Sequence, residues 1–252
     1  FSNSASLLTS LNIFVITSEL DTYSKTGGLA TVARSLSKAL HRLGHKVVIV
    51  TPFFEQTVQT KNFNLTPAFP PVPMNIGDGQ SIDIEFFKDE LLPGLFVYFL
   101  KQTKYFGRRQ ELYGSSHENV RFALFDLACL NLLKLINFKP DVVQCHDWHS
   151  GLTPFFLQKE PFVSDPFYQG LATVFTIHNL AFQFGHNWWE VPEDARDDGR
   201  SLLPSFAAAS FENINFVKRG ILHASLVNTV SEKYAQEILT PEQGHGLHRL
   251  LQ

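Results

Sequence analysis

Apolar and polar positions in the first fifty residues follow two periods. Residues 12–17 form an apolar run that predicts a buried strand. Apolar residues then recur at three- and four-residue steps, which predicts a helix with one apolar face, made of Leu29, Val32, Leu36, Ala39, Leu40 and Leu43. Gly44 is expected to end this helix, and residues 46–50 predict a second strand. Strand, helix and strand with short connections are typical of a parallel sheet.

The same patterns continue through the rest of the chain. Between residues 52 and 107, clustered prolines and two alternating runs predict an inserted hairpin or edge strands. Further strands are predicted at 141–144, 172–177 and 226–229, and helices at 119–136, 149–158 and 213–224. Residues 188–205 are poor in pattern and rich in charge, so a mobile surface loop is predicted there. The fold expected is one α/β domain with a Rossmann-like, mostly parallel, doubly wound sheet and a small inserted hairpin.

Composition narrows the function classes. Lys and Arg number 21 against 24 Asp and Glu, a net charge of −3, so no general basic field exists to attract nucleic acid or an anionic membrane. The apolar run near the start is too short to span a membrane and lacks the basic flank of a signal peptide. The two cysteines, Cys129 and Cys145, lie in apolar patterns and are expected to be buried thiols, which fits a reducing compartment.

The first candidate for chemistry is SKTGGL, residues 24–29, between the first strand and the first helix. Gly27 and Gly28 would let backbone N–H groups approach a ligand closely, and the start of the helix favours phosphate. Lys25 would add a full positive charge. The spacing matches neither the P-loop nor the dinucleotide pattern, so a tight turn with a solvated lysine is the alternative. The position favours a binding loop, because ligands of open α/β sheets gather at the carboxyl ends of strands.

The second candidate is QCHDWHSG, residues 144–151, which places His146 and Asp147 where a strand stops. Asp147 could accept hydrogen bonds from a sugar hydroxyl. An N-cap of the next helix is the competing interpretation. Metal binding by Cys145, His146 and His149 is a weaker one, because the spacing matches no common zinc site and Cys145 should point away from His146.

The third candidate is FTIHNLAFQ, residues 175–183, another apolar strand that ends in polar residues, His178 and Asn179. A lone histidine is more often structural than catalytic. Three such clusters on one rim are expected to converge on one crevice. Tyr105, flanked by arginines and glycines in KYFGRRQELYG, is a further binding candidate, with an amphipathic surface tyrosine as the alternative.

Six segments, in this order, resemble the N-terminal half of bacterial glycogen synthases and plant starch synthases. They are SKTGGLATVARSLSKAL, KYFGRRQELYG, DVVQCHDWHSGLTPFFL, TVFTIHNLAFQ, FVKRGILHASLVNTVSEKYAQEI and PEQGHGLHRLL. The resemblance runs across nearly all 252 residues, and several ordered blocks are far more specific than one motif. It implies the first lobe of a two-lobe GT-B glycosyltransferase, with the C-terminal nucleotide-binding lobe absent from residues 1–252.

The implied activity is retaining transfer of glucose from ADP-glucose to the non-reducing 4-hydroxyl of an α-1,4-glucan, with no metal or other cofactor. The partners implied are ADP-glucose, the glucan and the second lobe. The family's catalytic glutamate and further basic phosphate ligands belong to that second lobe, so residues 1–252 alone are expected to transfer no glucose. The location implied is the bacterial cytoplasm, or the plastid in a plant.

The resemblance also implies roles for single residues. Lys25 matches a lysine that contacts the donor pyrophosphate, and Gly27 and Gly28 line the same loop. His178 matches a histidine beside the transferred glucose, which together with Asp147 is expected to be catalytic. Tyr105 and Asn179 are expected to bind substrate.

One departure from the family pattern lies in the first turn of the phosphate-facing helix. The family usually has an acidic residue where Thr31 stands, so donor affinity is expected to be altered.

Three other functions remain as alternatives. One is a non-catalytic glucan- or partner-binding domain derived from this lobe, and another is a related transferase that uses a different sugar nucleotide. A nicotinamide-dependent oxidoreductase is the third, but the chain lacks the G-x-G-x-x-G turn that this class uses.

Overall fold

Nine β-strands form one sheet in the computed structural model, which describes residues 9–57, 63, 65–108 and 111–252. The strands are β1 (Asn12–Ile16), β2 (Lys46–Pro52), β3 (Thr66–Pro67), β4 (Val72–Gly77), β5 (Gln80–Leu92), β6 (Leu95–Lys101), β7 (Val142–His146), β8 (Ala172–Ile177) and β9 (Leu226–Thr229). The strands predicted near residues 12, 46, 141, 172 and 226 are confirmed. Apolar runs located them because strands covered on both faces are apolar throughout.

The strand order is β3-β5-β6-β2-β1-β7-β8-β9, with β4 paired to β5 outside this path. All neighbours from β6 through β2, β1, β7 and β8 to β9 are parallel, whereas the β3–β5, β4–β5 and β5–β6 pairs are antiparallel. The chain leaves β1 toward β2 on one side and later returns to β7 on the other. The boundary between β1 and β7 is therefore the topological switch point of the sheet, where ligands of open α/β folds bind.

The predicted insertion is larger than one hairpin. Strands β3, β4 and β5 form an antiparallel extension, and β6 returns from it to pair in parallel with β2. The insertion thus becomes part of the main sheet at one edge.

Six α-helices accompany the sheet in the described part of the chain. They are α1 (Gly28–Arg42), α2 (Glu118–Leu135), α3 (Thr153–Leu157), α4 (Phe216–His223), α5 (Glu232–Glu237) and α6 (His248–Leu251). The helices predicted at 29–43 and 119–136 agree with α1 and α2, whereas α3 and α4 are shorter than the predicted ranges.

The buried face of α1 differs from the predicted one. The structure buries Leu29, Ala30, Ala33 and Ser37, whereas Val32 is 37% exposed and Leu43 is 62% exposed. Small residues meet the sheet here, so the buried stripe is turned by part of a helical turn from the stripe of large apolar residues.

The predicted end of α1 at Gly44 is confirmed. Gly44 has φ +93°, its N–H donates to the carbonyl of His41, and the N–H of His45 donates to the carbonyl of Leu40. These two bonds form a Schellman motif, which needs a left-handed residue and therefore favours glycine.

The segment predicted as a mobile loop, 188–205, contains only short 3-10 turns as regular structure. It is nevertheless anchored to the core. Val191 is buried, and the Asp197 carboxylate receives two hydrogen bonds, at 2.7 and 2.9 Å, from the fully buried guanidinium of Arg219 on α4.

Both cysteines are free and fully buried, as predicted. No helix among the described residues is long and apolar enough to cross a membrane.

Candidate active site

The carboxyl ends of four parallel strands border one cleft of about 700 Å³. Within three residues of the end of each strand lies a residue that lines the cleft: Glu19 after β1, Asp147 after β7, His178 after β8 and Val230 after β9. The cleft therefore lies over the switch point between β1 and β7.

Five of the seven residues predicted as site residues line this cleft, namely Gly27, Gly28, Asp147, His178 and Asn179. Lys25 and Tyr105 do not line it. The cleft is also bordered by residues that the sequence prediction did not select, among them Glu19, Thr26, Tyr113, Glu118, Phe182 and His186.

The first wall of the cleft is the glycine-rich loop, residues 24–28, which leads into α1. Gly27 and Gly28 are exposed, and a Cβ added to either would meet no heavy atom within 4 Å. Gly27 has φ −148°, an extended conformation open to other residues. Neither packing nor a left-handed turn therefore requires these glycines, and what they provide is open space in front of the backbone.

Lys25, in the same loop, is turned toward Asp21. Its Nζ lies 3.1 Å from Asp21 Oδ2, and the Thr31 hydroxyl donates to the same oxygen at 3.2 Å. The bond from Lys25 is the main cause of a lowered pKa of the Asp21 carboxyl. Asp21 thus supplies a carboxylate beside Thr31.

The second wall is built from buried and half-buried side chains, with Asp147 at its centre. Asp147 is 6% exposed and adopts φ +61°, a left-handed conformation that is uncommon for residues other than glycine. Its Oδ1 accepts the backbone N–H of His178 at 3.3 Å and, more weakly, that of Asn179 at 3.5 Å. The side chain makes no cap bond to the 3-10 turn that follows, so the N-cap interpretation is not supported. Through its bonds to the two backbone N–H groups, the Asp147 side chain links the end of β7 to the end of β8.

Burial is the main cause of the shifted pKa values of the ionisable side chains in this wall. Desolvation raises the pKa of Asp147 to about 7, although the backbone N–H groups of His178 and Asn179 favour the charged form. Desolvation lowers the pKa of His178 to about 4 and that of His146 to about 3. Both histidines are therefore neutral at pH 7.

The two histidines are joined directly. His146 Nδ1 and His178 Nε2 lie 2.9 Å apart, so one ring donates and the other accepts. This bond leaves Nδ1 of His178 for other partners. His146 is fully buried and its Nε2 has no hydrogen-bond partner.

A different tyrosine from the predicted one borders the cleft. Tyr105 lies half-buried in a π-helical turn, Thr103–Gly107, and its carbonyl accepts a hydrogen bond from Arg121. Tyr113, from the same segment, lines the cleft and donates its hydroxyl to Glu19 Oε1 at 2.7 Å. Arg109 and Gln110 between them lie outside the described residues.

Glu19 lies three residues after the end of β1, whereas Asp147 follows the end of β7 directly. The rule that selected Asp147, a polar residue directly after a buried strand, therefore does not select Glu19, and only a wider window of three residues would have included it. Tyr113 carries no such signal, because it lies far from any strand end in the sequence.

No group of three or more His, Cys, Asp or Glu side chains is placed to hold a metal ion in the part of the chain that the structure describes. Cys145 and His146 lie on successive positions of β7, whose side chains point to opposite faces of the sheet.

The sheet order and the cleft over its switch point define a Rossmann-like α/β protein. The chain belongs to the starch synthase catalytic domain family, whose model matches residues 12–252. It is 36% identical to the glycogen synthase of Geotalea daltonii over 249 residues, and 38% identical to that of Moorella thermoacetica over 254 residues. Each match covers 96% of this chain, and 49% and 48% of the respective relative.

A solved structure agrees with this assignment. The catalytic domain of starch synthase IV from Arabidopsis thaliana, bound to ADP and acarbose, matches with a TM-score of 0.79 and 29% sequence identity, over 96% of this chain and 49% of that chain. The chain thus spans about half the length of its relatives. The predicted fold class and family resemblance are confirmed.

Proposed function

We propose that this chain forms one lobe of a glycosyltransferase that moves glucose from ADP-glucose to the non-reducing 4-hydroxyl of an α-1,4-glucan with retention of configuration. The observation that carries the proposal is the convergence of the glycine-rich loop, Asp147 and His178 on one cleft at the switch point. Family membership supports the reaction class. ADP in the similar starch synthase IV structure supports the adenine nucleotide.

The glycine-rich loop suits the diphosphate of such a donor. The first N–H groups of α1 have no acceptor within the helix, and no side chain caps them. Gly27 and Gly28 leave room for an anion to approach, and Lys25 can exchange Asp21 for a phosphate oxygen because its side chain is 48% exposed.

The buried wall suits the transferred sugar. In the reaction, the bond from the glucose C1 to the diphosphate oxygen breaks, a bond from C1 to the acceptor O4 forms, and ADP and a proton are released. The sugar carries positive charge in the transition state. Neutral His178 offers a hydrogen bond without placing a second positive charge beside it, and Asp147 offers acceptor oxygens to hydroxyl groups.

A second lobe facing this cleft completes the proposed enzyme. We expect residues 1–252 alone to transfer no glucose, and the adenine pocket, the catalytic glutamate and further basic groups to come from that lobe. A cytoplasmic or plastid location accompanies the proposal.

A chimera tests the proposal. This chain would replace the matching half of the Geotalea daltonii glycogen synthase, and transfer of labelled glucose to maltoheptaose would be measured with ADP-glucose and UDP-glucose. We expect turnover with ADP-glucose and none from residues 1–252 alone. A chimera that elutes as a folded monomer or oligomer, binds ADP and transfers no glucose from either donor would contradict the proposal. Preference for UDP-glucose would contradict the donor assignment alone.

A further inference from the structure

A buried carboxylate lies between the two walls of the cleft. Glu19 follows β1 by three residues and is 3% exposed. Its Oε2 accepts the backbone N–H of Thr26 at 2.5 Å and that of Gly27 at 3.3 Å. Its Oε1 accepts the hydroxyl of Thr26 at 2.6 Å and that of Tyr113 at 2.7 Å.

These four bonds satisfy a charge that would otherwise be costly to bury. Burial and the charge of Glu19 raise the pKa of Tyr113 well above its usual value, so Tyr113 keeps its proton and donates it. Ser18 Oγ lies 2.8 Å from the same hydroxyl. One side chain therefore ties the glycine-rich loop to the segment around residue 113.

The carboxylate also determines which amides remain for a ligand. A glycine-rich loop binds phosphate through its backbone N–H groups, but those of Thr26 and Gly27 already donate to Glu19. The next amides, at Gly28 and Leu29, begin α1, and no side chain in the described part of the chain caps them.

We propose that Glu19 is a positioning residue of the nucleotide-sugar site: it holds the glycine-rich loop against Tyr113 and leaves the amides of Gly28 and Leu29 for the diphosphate. This inference rests on the proposed function. Glu19 itself contacts no phosphate, because two like charges would repel.

Two conservative variants separate the reach of Glu19 from its charge. Glu19→Gln keeps the length: its amide oxygen accepts both backbone N–H groups, and its NH₂ donates to the hydroxyls of Thr26 and Tyr113, which can act as acceptors. Glu19→Asp keeps the charge but is one methylene shorter, so it cannot reach both walls. Glu232→Ala, exposed on α5, serves as the matched control.

The readouts are NMR hydrogen exchange of the Thr26 and Gly27 amides in the ligand-free chain, and amide shifts when the glycogen synthase chimera, which carries the second lobe, is titrated with ADP. In the wild type we expect both amides to be protected, and Gly28 and Leu29 to shift more on ADP binding. Loss of one charge-assisted bond predicts exchange at least about tenfold faster in Glu19→Asp and an ADP dissociation constant about tenfold higher. In Glu19→Gln the protection is retained, and the ADP dissociation constant stays within about threefold or falls, because a negative charge is removed.

Three outcomes would overturn this inference: fast exchange in Glu19→Gln, wild-type protection in Glu19→Asp, or larger ADP shifts at Thr26 and Gly27 than at Gly28 and Leu29. A wild-type chimera with protected amides but no ADP-induced shift would instead contradict the proposed function, and with it the ligand assigned here. The exchange data still decide in that case whether Glu19 holds the loop.

Discussion

The two walls of the cleft are constructed in opposite ways. The glycine-rich loop is exposed, presents backbone groups and has open space at Gly27 and Gly28. The wall around Asp147 consists of buried and half-buried side chains, with an uncommon backbone conformation at Asp147 and pKa values moved by desolvation. The difference shows two ways to stabilise charge. A phosphate is bound best where it can approach several backbone N–H donors closely, whereas positive charge developing on a sugar is stabilised best by groups of fixed charge and orientation in a site that excludes water. Substitutions in the two walls should therefore fail differently.

The largest effect is expected from removing the His178 ring. His178→Ala in the active chimera should lower glucose transfer by about 10²–10³-fold, because a preorganised hydrogen bond to the transition state is lost. The ADP dissociation constant should change little, since the proposed nucleotide site is on the other wall. His117→Ala, an exposed site, is the control in the same assay. If His178→Ala weakened only ADP binding, the proposal that one wall binds the nucleotide and the other acts on the sugar would be wrong.

A pair of glycine substitutions sharpens the comparison. Gly28→Ala should weaken ADP binding by about tenfold, because a methyl group occupies space used by the ligand, while the melting temperature stays nearly unchanged. Gly220→Ala on α4 should do the reverse: its Cβ would lie 2.9 Å from the Phe175 ring, so we expect about 1–3 kcal/mol of destabilisation with ADP affinity retained. Calorimetric titration and thermal unfolding measure the two effects. Equal destabilisation by both would show that the loop glycines serve packing.

The buried histidines predict a pH dependence of stability. The pKa values of His146 and His178 are lowered to about 3 and about 4, so between pH 6.5 and 4 the unfolded chain binds protons that the folded chain does not. Their contribution to the free energy of unfolding is complete above pH 6.5 and falls by about 1.4 kcal/mol per pH unit for each group as the pH decreases. Asp147, with its pKa raised to about 7, opposes this: its contribution is complete below pH 3.8 and decreases as the pH rises toward 7.

His146→Gln should remove one histidine contribution. Its stability difference from the wild type should therefore shrink by about 1.4 kcal/mol per pH unit between pH 6.5 and 4, as measured by urea unfolding. A constant difference for His146→Gln would mean that the ring is charged in the folded chain.

The smallest effect is expected at the surface ion pair of the loop. Asp21→Asn releases Lys25 from its partner at 3.1 Å, so we expect ADP to bind about twofold more tightly. The effect should weaken as salt is added, because both side chains are partly exposed. Unchanged affinity at low salt would indicate that Lys25 takes no part in binding the nucleotide.

The sequence located the parts of this site better than their mutual arrangement. Its strand patterns predicted the bounds of β8 and β9 as the structure has them. The reason is clear for β8, whose apolar residues are largely buried, whereas β9 is an edge strand with exposed and half-buried positions. Polar residues directly after β7 and β8 identified Asp147 and His178 as candidates. The roles of all seven predicted site residues remain predictions, and the cleft borders five of them.

Long-range packing accounts for what the sequence prediction missed. The stripe of large apolar residues on α1 suggested a face that includes Val32 and Leu43, but the close approach of the helix to the sheet selected small residues such as Ala33. Glu19 and Tyr113 are 94 residues apart in the chain, and the hydrogen bond between them depends on the fold alone.

By itself, then, the chain determined where strands and helices lie, that the sheet is largely parallel, and which residues stand at strand ends. These are local properties, set by periodicity and by the conformations that glycine allows. Only the tertiary structure decided that β1 and β7 are neighbours, that His146 bonds to His178, and that Glu19 occupies two amides of the glycine-rich loop. Such contacts join residues far apart in sequence, and burial then changes the charge states of the groups it brings together.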